Sequence, residues 1–167
     1  QFKQSQDVSN AQSLAGELTA FSNSKGGIIL IGVSDQGTVT GVSSADIRRL
    51  NQLLASTATN NVKPAINLET ENVPVGDNLV VVVTVREGIS KPYADNNGVF
   101  WVKSGADKRR VTSREEVQRM LQRADLVHAD EVPVDGTTVA DVDLDHFRTF
   151  FEKHYGEPFE NEDAPLT

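Results

Sequence analysis

One stretch, residues 11–41, constrains the fold of this chain more than any other. Apolar residues recur from Ala11 to Phe21 at the i, i+3, i+4, i+7 spacing of a helix that lies on a sheet, and the other positions are polar. Gly26 and Gly27 can adopt the left-handed conformation that closes a helix, so the helix is predicted to end just before them.

A strand is predicted directly after this helix. Residues 28–33 include no charged or hydrogen-bonding side chain and are mostly β-branched, which is typical of a central strand buried on both faces. Residues 35–37 supply a turn, and residues 38–41 begin a returning strand. The organising unit is therefore helix, buried strand, tight turn and strand.

The same signals extend along the rest of the chain and predict an α+β fold. We expect a mixed, mostly antiparallel sheet of about five or six strands with helices packed on it, plus a C-terminal helical extension. The further elements are helices after the capping residues Ser43 and Ser113, strands at 65–75, 79–85 and 99–103, a loop at 105–110, and a last helix capped by Asp141 or Asp143 and closed by Gly156.

Composition excludes several classes of protein. With 167 residues, 38% hydrophobic and 24% charged, the chain can bury one globular core. The lack of cysteine excludes disulfides and thiolate metal sites. No apolar run approaches the roughly 18 residues of a membrane helix, and no secretion or lipidation signal is present. We therefore expect a cytoplasmic protein without membrane contact and, because the sequence starts at Gln1 rather than Met, a piece of a longer one.

Charge divides the chain into two parts. Residues 1–124 have a net charge of +2, whereas residues 125–167 have a net charge of −10. We predict a domain at 1–124, a linker at 125–140, and a C-terminal helix with a disordered tail at 141–167. This asymmetry permits an anionic partner for the first part and argues against electrostatic binding of nucleic acid by the whole chain.

Four segments in order along the chain carry a resemblance to a known family. They are FKQS at 2–5, AFSN at 20–23 with the following GG and IGV, KPY at 91–93, and FWVKSG at 100–105. Together they resemble the Schlafen/AlbA-type DNA-binding domain over about residues 1–124. That family occurs in bacterial transcriptional regulators and in proteins related to the RecG helicase, so the resemblance implies binding of nucleic acid.

The candidate site is a set of basic residues in the first domain. Lys103 ends a strand, a basic triplet follows in a glycine-bounded loop, an arginine opens a helix whose free amides also favour anions, and Arg119 and Arg123 extend the set along that helix. Such a surface neutralises phosphates without reading sequence. A solvated loop balanced by nearby carboxylates is the competing interpretation. The resemblance assigns this loop to the nucleic-acid surface, so we predict phosphate contacts, to DNA in preference to RNA and with low sequence specificity, from Lys103, Lys108, Arg109, Arg110 and Arg114.

Metal-dependent nuclease activity is the least favoured hypothesis. In nuclease-active relatives the resemblance implies two glutamates around the opening motif and an aspartate in the turn after the buried strand. Asp35 matches that aspartate, but Gln1 replaces one glutamate, and the other position precedes the chain. A neutral amide is a poor ligand for a hard cation, so we expect no metal and no catalytic residue in this part of the protein.

No cofactor is predicted either. Lys25 beside Gly26 and Gly27 invites comparison with a phosphate-binding loop, but that loop follows a strand and precedes a helix, whereas here the helix comes first. His146 and His154 are eight positions apart, which is not the i, i+4 spacing of helical metal ligands.

A protein-interaction or dimerisation module is the second hypothesis. The last helix carries an aromatic stripe that includes Phe147, Phe151 and Tyr155, and its surroundings are acidic. Such a stripe must cover another surface, which is either a neighbouring domain or, in a homodimer, a second copy.

Overall fold

The structure, a computed structural model, describes residues 1–124 and 136–156. The chain divides into two compact units, Gln1–Val127 and His128–Thr167. Part of the predicted linker and the predicted disordered tail lie outside the described residues.

The described residues form four helices and eight strands. The helices are α1 (Ala11–Asn23), α2 (Ser44–Asn60), α3 (Arg114–Arg123) and α4 (Leu144–Tyr155). The strands are β1 (Phe2–Lys3), β2 (Gly27–Ile31), β3 (Val62–Lys63), β4 (Leu68–Val75), β5 (Asn78–Val85), β6 (Ala94–Asp95), β7 (Trp101–Ser104) and β8 (Asp107–Arg110).

Helix α1 lies at the centre of the first unit. It begins where the Asn10 side chain accepts hydrogen bonds from the N–H groups of Gln12 and Ser13, at 2.8 and 3.2 Å. Residues 14–22 are all buried, including Glu17. Burial therefore extends well beyond the predicted apolar stripe, because α2, β5, β6, β7 and β8 all contact this helix.

The main sheet has four strands in the order β1-β2-β5-β4, and only β1 and β2 are parallel. The α+β class and the mixed, mostly antiparallel pairing are confirmed. The sheet is smaller than expected, because β3 pairs with β6 and β7 with β8 in separate two-stranded sheets. The strand predicted at 38–41 reduces to a bridge between Val33 and Val39. Positive φ angles at Gly32 and Gly41, 96° and 79°, interrupt the extended backbone there.

The helices cover one face of the main sheet. Ile29 and Ile31 of β2, and Val81 and Val83 of β5, are fully buried in the core against α1 and α2. Ile28 points the other way and remains 49% exposed. Burial of this strand on both faces was therefore a wrong prediction, since no described helix packs on the second face.

Asn23, at the end of α1, joins three segments that are far apart in sequence. Its amide nitrogen donates to the carbonyl oxygens of Tyr93 and Trp101 at 2.8 and 2.9 Å. Its amide oxygen accepts from the N–H of Tyr93 at 2.7 Å. One side chain thus replaces the sheet partners that these backbone groups lack.

The second unit contains helix α4. Asp143 caps it by accepting from the N–H of His146 at 2.9 Å, and Gly156 ends it with a φ of 72°, both as expected from the sequence. Phe151 stacks on Tyr155 with ring centroids 4.7 Å apart. No helix in the described part of the chain is both long and apolar enough to cross a membrane.

Replacement of Asn23 by alanine tests its role in the fold. We expect the Asn23→Ala variant to lose about 2–3 kcal/mol of unfolding free energy, because three backbone groups lose their partner together. Urea denaturation followed by circular dichroism measures this loss. The control is Asn60→Ala, which removes only an exposed bond to Ser56 and should stay within about 0.5 kcal/mol of wild type. Equal losses in the two variants would contradict the assignment.

Candidate functional site

The predicted basic loop is a β-hairpin. Residues 107–110 form strand β8, which pairs antiparallel with β7 so that Lys103 lies opposite Lys108 and Val102 opposite Arg109. Gly105 makes the turn with a φ of 62°. The loop prediction at 105–110 was wrong, because a two-residue turn lets the basic triplet pair with the preceding strand. Side chains alternate between faces of a strand, so the two lysines share one face of the hairpin and Arg109 lies on the other.

The lysine face of the hairpin packs on a buried carboxylate. Glu17, 5% exposed, lies in the middle of α1. Its Oε1 is 3.3 Å from Lys108 Nζ and 3.6 Å from Lys3 Nζ, and its Oε2 is 4.0 Å from Lys103 Nζ. The Gln1 side-chain amide donates to Oε1 at 3.2 Å. We call Glu17 and the lysines 3, 103 and 108 the Glu17 cluster; its formal charge is positive, because one carboxylate faces three ammonium groups.

The charge of Glu17 is maintained by its neighbours. Burial alone would raise the pKa of this carboxyl group, but Lys108, Gln1 and Lys3 together hold the pKa below its ordinary value. Glu17 is therefore ionised at neutral pH and can pair with the lysines. An ionised carboxylate at this depth is stable only because several cations compensate it.

Both hairpin lysines have further partners within the protein. Lys103 Nζ donates to the carbonyl of Ala106 and lies 4.7 Å from the centre of the Phe21 ring. Lys108 Nζ donates to the carbonyl of Ser13 at 3.0 Å and lies over Trp101. These two side chains are therefore fixed, and mostly covered, before any ligand arrives.

Arg109 projects from the opposite face toward α3. Its guanidinium donates to both carboxylate oxygens of Glu116 in a bidentate pair. These hydrogen bonds lower the pKa of Glu116. The carboxylate thus occupies the donor fork that a phosphate would use.

Arg109 and Glu116 form part of a cleft between the hairpin and α3. We call it the arginine cleft; its volume is about 310 Å³. Three arginines and one carboxylate line it, so their formal charge is +2; the ammonium group of Lys103, another lining residue, is turned to Glu17 on the other face of the hairpin. The lining residues are Asn23, Val102, Lys103, Arg109, Glu116, Arg119, Met120 and Arg123.

The remaining two predicted residues lie on β8 and α3, the elements that carry the arginines of the cleft. Arg110 ends β8 and Arg114 begins α3, and both are exposed. Neither makes a hydrogen bond or an ion pair with another described residue. Ser113 caps α3 by accepting from the N–H of Glu116 at 3.3 Å, as predicted.

The two positions of the nuclease pattern that this sequence contains, Gln1 and Asp35, lie beside the same cleft. Gln1 and Asp35 line an open cleft of about 480 Å³ together with Lys103 and Asp107. Asp35 is exposed in the turn, where the N–H of Gly37 donates to Ser34 at 2.9 Å. Within 1–124 and 136–156, no three histidine, aspartate or glutamate side chains are grouped so as to hold a metal ion.

The family to which the chain belongs follows from its sequence match. The sequence model described as Schlafen, AlbA_2 matches residues 1–112. The chain belongs to the Schlafen AlbA_2 family. The resemblance in the four motifs is thereby confirmed, and Asn23 connects three of them, because it joins AFSN at 20–23 to KPY at 91–93 and to FWVKSG at 100–105.

Two solved structures are similar to this chain. The DIP2311 protein from Corynebacterium diphtheriae matches with a TM-score of 0.54 and 20% identity over 96% of this chain and 34% of that chain. The N-terminal domain of a RecG-related protein from Nitrosomonas europaea matches with a TM-score of 0.46 and 23% identity, over 68% of this chain and 84% of that one. The chain thus spans about a third of the DIP2311 protein. No curated protein gives a significant match.

Glu17 and Lys3 are the site residues that sequence reasoning missed. Glu17 is the only charged residue of α1, and a lone carboxylate in a helix that packs on a sheet is a signal of a buried charge that needs partners. Lys3 belongs to the FKQS motif, but nothing in the sequence places it beside residue 17.

A Glu17→Gln variant tests the Glu17 cluster through its pH dependence. The folded-state pKa lies below the ordinary value, so the charge stabilises the fold above that value and this contribution is lost as the pH falls through the folded-state pKa. We expect the variant to lose about 3 kcal/mol of unfolding free energy at neutral pH and to approach wild type in acid.

Urea denaturation at a series of pH values makes this measurement. Glu152→Gln on α4 is the control, because that side chain is exposed and should give a small difference from wild type throughout. A Glu17→Gln deficit that stays constant from neutral to acidic pH would show that the charge is not the stabilising feature.

Proposed function

We propose that the first unit binds the phosphate backbone of nucleic acid, DNA in preference, through the arginine cleft, and that it does so without catalysis. The main supporting observation is the composition of the cleft, where Arg109, Arg119 and Arg123 outnumber the single carboxylate, Glu116. Clustered cations attract and neutralise phosphates. Membership of the Schlafen AlbA_2 family, which is linked to nucleic acids, supports the same assignment.

The five predicted residues take different roles in this proposal. Lys103 and Lys108 contribute positive potential from fixed positions, because both are already held by Glu17. Arg109 binds phosphate by exchanging its partner Glu116 for a ligand oxygen. Arg110 and Arg114, exposed on either side of the loop that joins β8 to α3, extend the contact along the backbone of the nucleic acid.

Low sequence specificity follows from the chemistry of the cleft. Arginine side chains that contact phosphate oxygens position a duplex but do not read base edges. Trp101 and Tyr93 do not offer a stacking platform, because the Trp101 indole donates to the buried Asp95 at 2.9 Å and Tyr93 is 4% exposed.

A non-catalytic role is favoured over a nuclease. The cleft that contains Gln1 and Asp35 includes Lys103 and one further carboxylate, Asp107, on the turn side of the hairpin. Divalent metals that cleave phosphodiesters need several carboxylates held around one point. We further propose that this domain serves a cytoplasmic bacterial transcriptional regulator or RecG-related protein, of which the chain is one part.

Removal of two cleft arginines tests the proposal. The Arg119→Ala/Arg123→Ala variant should bind a short fluorescein-labelled duplex more weakly, and the slope of log K against log salt should fall by about 2, since each lost phosphate contact contributes about 0.9. Fluorescence anisotropy at several salt concentrations measures both, with single-stranded DNA and RNA as further probes. Arg48→Ala, an exposed arginine on α2, is the matched control and should leave the slope unchanged. An unchanged slope in the double variant would remove the cleft from the binding site.

Removal of the cleft carboxylate should have the opposite effect. Glu116→Gln frees the Arg109 guanidinium and raises the charge of the cleft by one, so we expect affinity for the same duplex to rise by about threefold to tenfold at low salt. Glu115→Gln, which neutralises a neighbouring carboxylate bonded to Ser113, is the control for net charge alone. Equal gains in the two variants would indicate a diffuse charge effect and not a bidentate site.

A further inference from the structure

Strand β4 is an open edge of the main sheet. It pairs with β5 along all eight of its residues, Leu68–Val75, and no other described strand lies on its far side. Glu69, Thr70, Glu71 and Asn72 are all exposed. An exposed edge of this length presents unpaired backbone groups that can accept another strand.

The register identifies which backbone groups point outward. Val75 pairs with Asn78 across a two-residue turn, which makes that pair hydrogen-bonded and the next pair not. The Leu79 carbonyl confirms this alternation, because it points away from β4 and accepts from Val42 at 2.8 Å. The outward positions are therefore Leu68, Thr70, Asn72 and Pro74.

Pro74 is consistent with this geometry. Proline has no N–H, so it is tolerated in a strand only where the N–H would face away from the partner. Three outward N–H groups remain on β4, those of Leu68, Thr70 and Asn72. None of them makes a backbone hydrogen bond within the described part of the chain.

A groove runs beside this edge on the helix side of the sheet. Its volume is about 230 Å³, and its lining between α2 and β4 is mixed: Leu54, Ala58, Ile66 and Leu68 are apolar, whereas Thr59, Asn67 and Thr70 are polar. Asn51 also lines it, and the buried Oδ1 of Asn51 has no hydrogen-bond partner.

The other face of the edge is acidic. Glu69 and Glu71 are two residues apart and therefore project to the same side, away from the groove. Glu69 pairs with the exposed Arg86, whereas Glu71 makes no ion pair with a described residue. A strand added beside β4 would thus meet a groove with both apolar and uncharged polar side chains on one side, and carboxylates on the other.

We propose that β4 binds an extended segment of a partner protein in which apolar residues alternate with lysine or arginine. Its backbone pairs with the outward groups of Leu68, Thr70 and Asn72, its apolar side chains enter the groove beside α2, and its basic side chains lie next to Glu69 and Glu71. Main-chain bonds supply affinity, and the alternation of the two faces supplies specificity. This interaction is independent of the arginine cleft.

A second copy of the chain fits the edge less well than such a segment. Two β4 strands related by a two-fold axis overlap best in two registers. One of them places Glu71 opposite Glu71 of the second copy, where like charges repel. The other places Pro74 opposite Thr70, whose carbonyl then has no N–H partner.

The test uses the 167-residue chain and a synthetic fluorescein-labelled peptide in which valine alternates with lysine. Fluorescence anisotropy gives the affinity, and amide hydrogen exchange by NMR locates the contact. We expect the amides of Leu68, Thr70 and Asn72 to gain protection when the peptide is added. A peptide of the same composition with its valines and lysines in two separate blocks should bind at least about tenfold more weakly, because it cannot satisfy both faces.

Two kinds of variant separate edge pairing from charge attraction. Thr70→Pro removes an outward N–H, as Pro74 does naturally, and should weaken binding at least about tenfold while β4 stays paired with β5. If the Thr70→Pro variant does not fold, the Glu69→Lys/Glu71→Lys variant tests the proposal instead. It should bind the valine–lysine peptide about fivefold more weakly and a valine–glutamate peptide more tightly. Arg119→Ala/Arg123→Ala should bind the valine–lysine peptide like wild type.

Three results would overturn the proposal. The first is equal peptide affinity in Thr70→Pro and wild type, which would indicate attraction to the net charge of the chain. The second is protection of amides outside β4. The third is a concentration-dependent doubling of mass in sedimentation that Thr70→Pro abolishes, because the edge would then belong to a second copy.

Discussion

The ionised carboxylate of Glu17 is the constraint on which the first unit depends. A single buried anion in α1 draws in Lys3 from β1 and both lysines of the β7–β8 hairpin, so three segments that share no backbone pairing with the helix are oriented by one charge. Partners on several sides are needed, because a carboxylate at this depth is unstable without them. The position of the hairpin, and hence of the arginine cleft, follows from this requirement.

Asn23, at the end of α1, complements Glu17 in holding the hairpin on this helix. Glu17 acts on side chains through charge, whereas Asn23 acts on backbone groups through three hydrogen bonds of 2.7 to 2.9 Å. Ser24 adds a fourth bond by accepting from the N–H of Lys103 at 3.0 Å. The last turn of α1 therefore serves as a platform for β7, and the family motifs at 20–23 and 100–105 are parts of one structural joint.

Much of the local structure could be predicted from the sequence, because caps and glycines act over a few residues. Ser43 and Ser113 cap the helices expected of them, and Asp143 is the cap among the two candidates for the last helix. Long-range features could not be predicted. Burial around α1 depends on which strands fold over it, and the partition of strands among three sheets depends on pairings between residues far apart in sequence. The basic residues were found by type, but only the structure separates those held by Glu17 from those that line the cleft.

The two faces of the hairpin have different roles, and the register of its strands determines which residues lie on each face. Lysines at 103 and 108 anchor it to α1, whereas Arg109, one position further, faces the cleft. Insertion or deletion of a single residue in β8 would turn every side chain to the opposite face. The Arg109 guanidinium would then face Glu17, and the Lys108 ammonium group would face away from it. Evolutionary change in the length of this hairpin is therefore expected in steps of two residues.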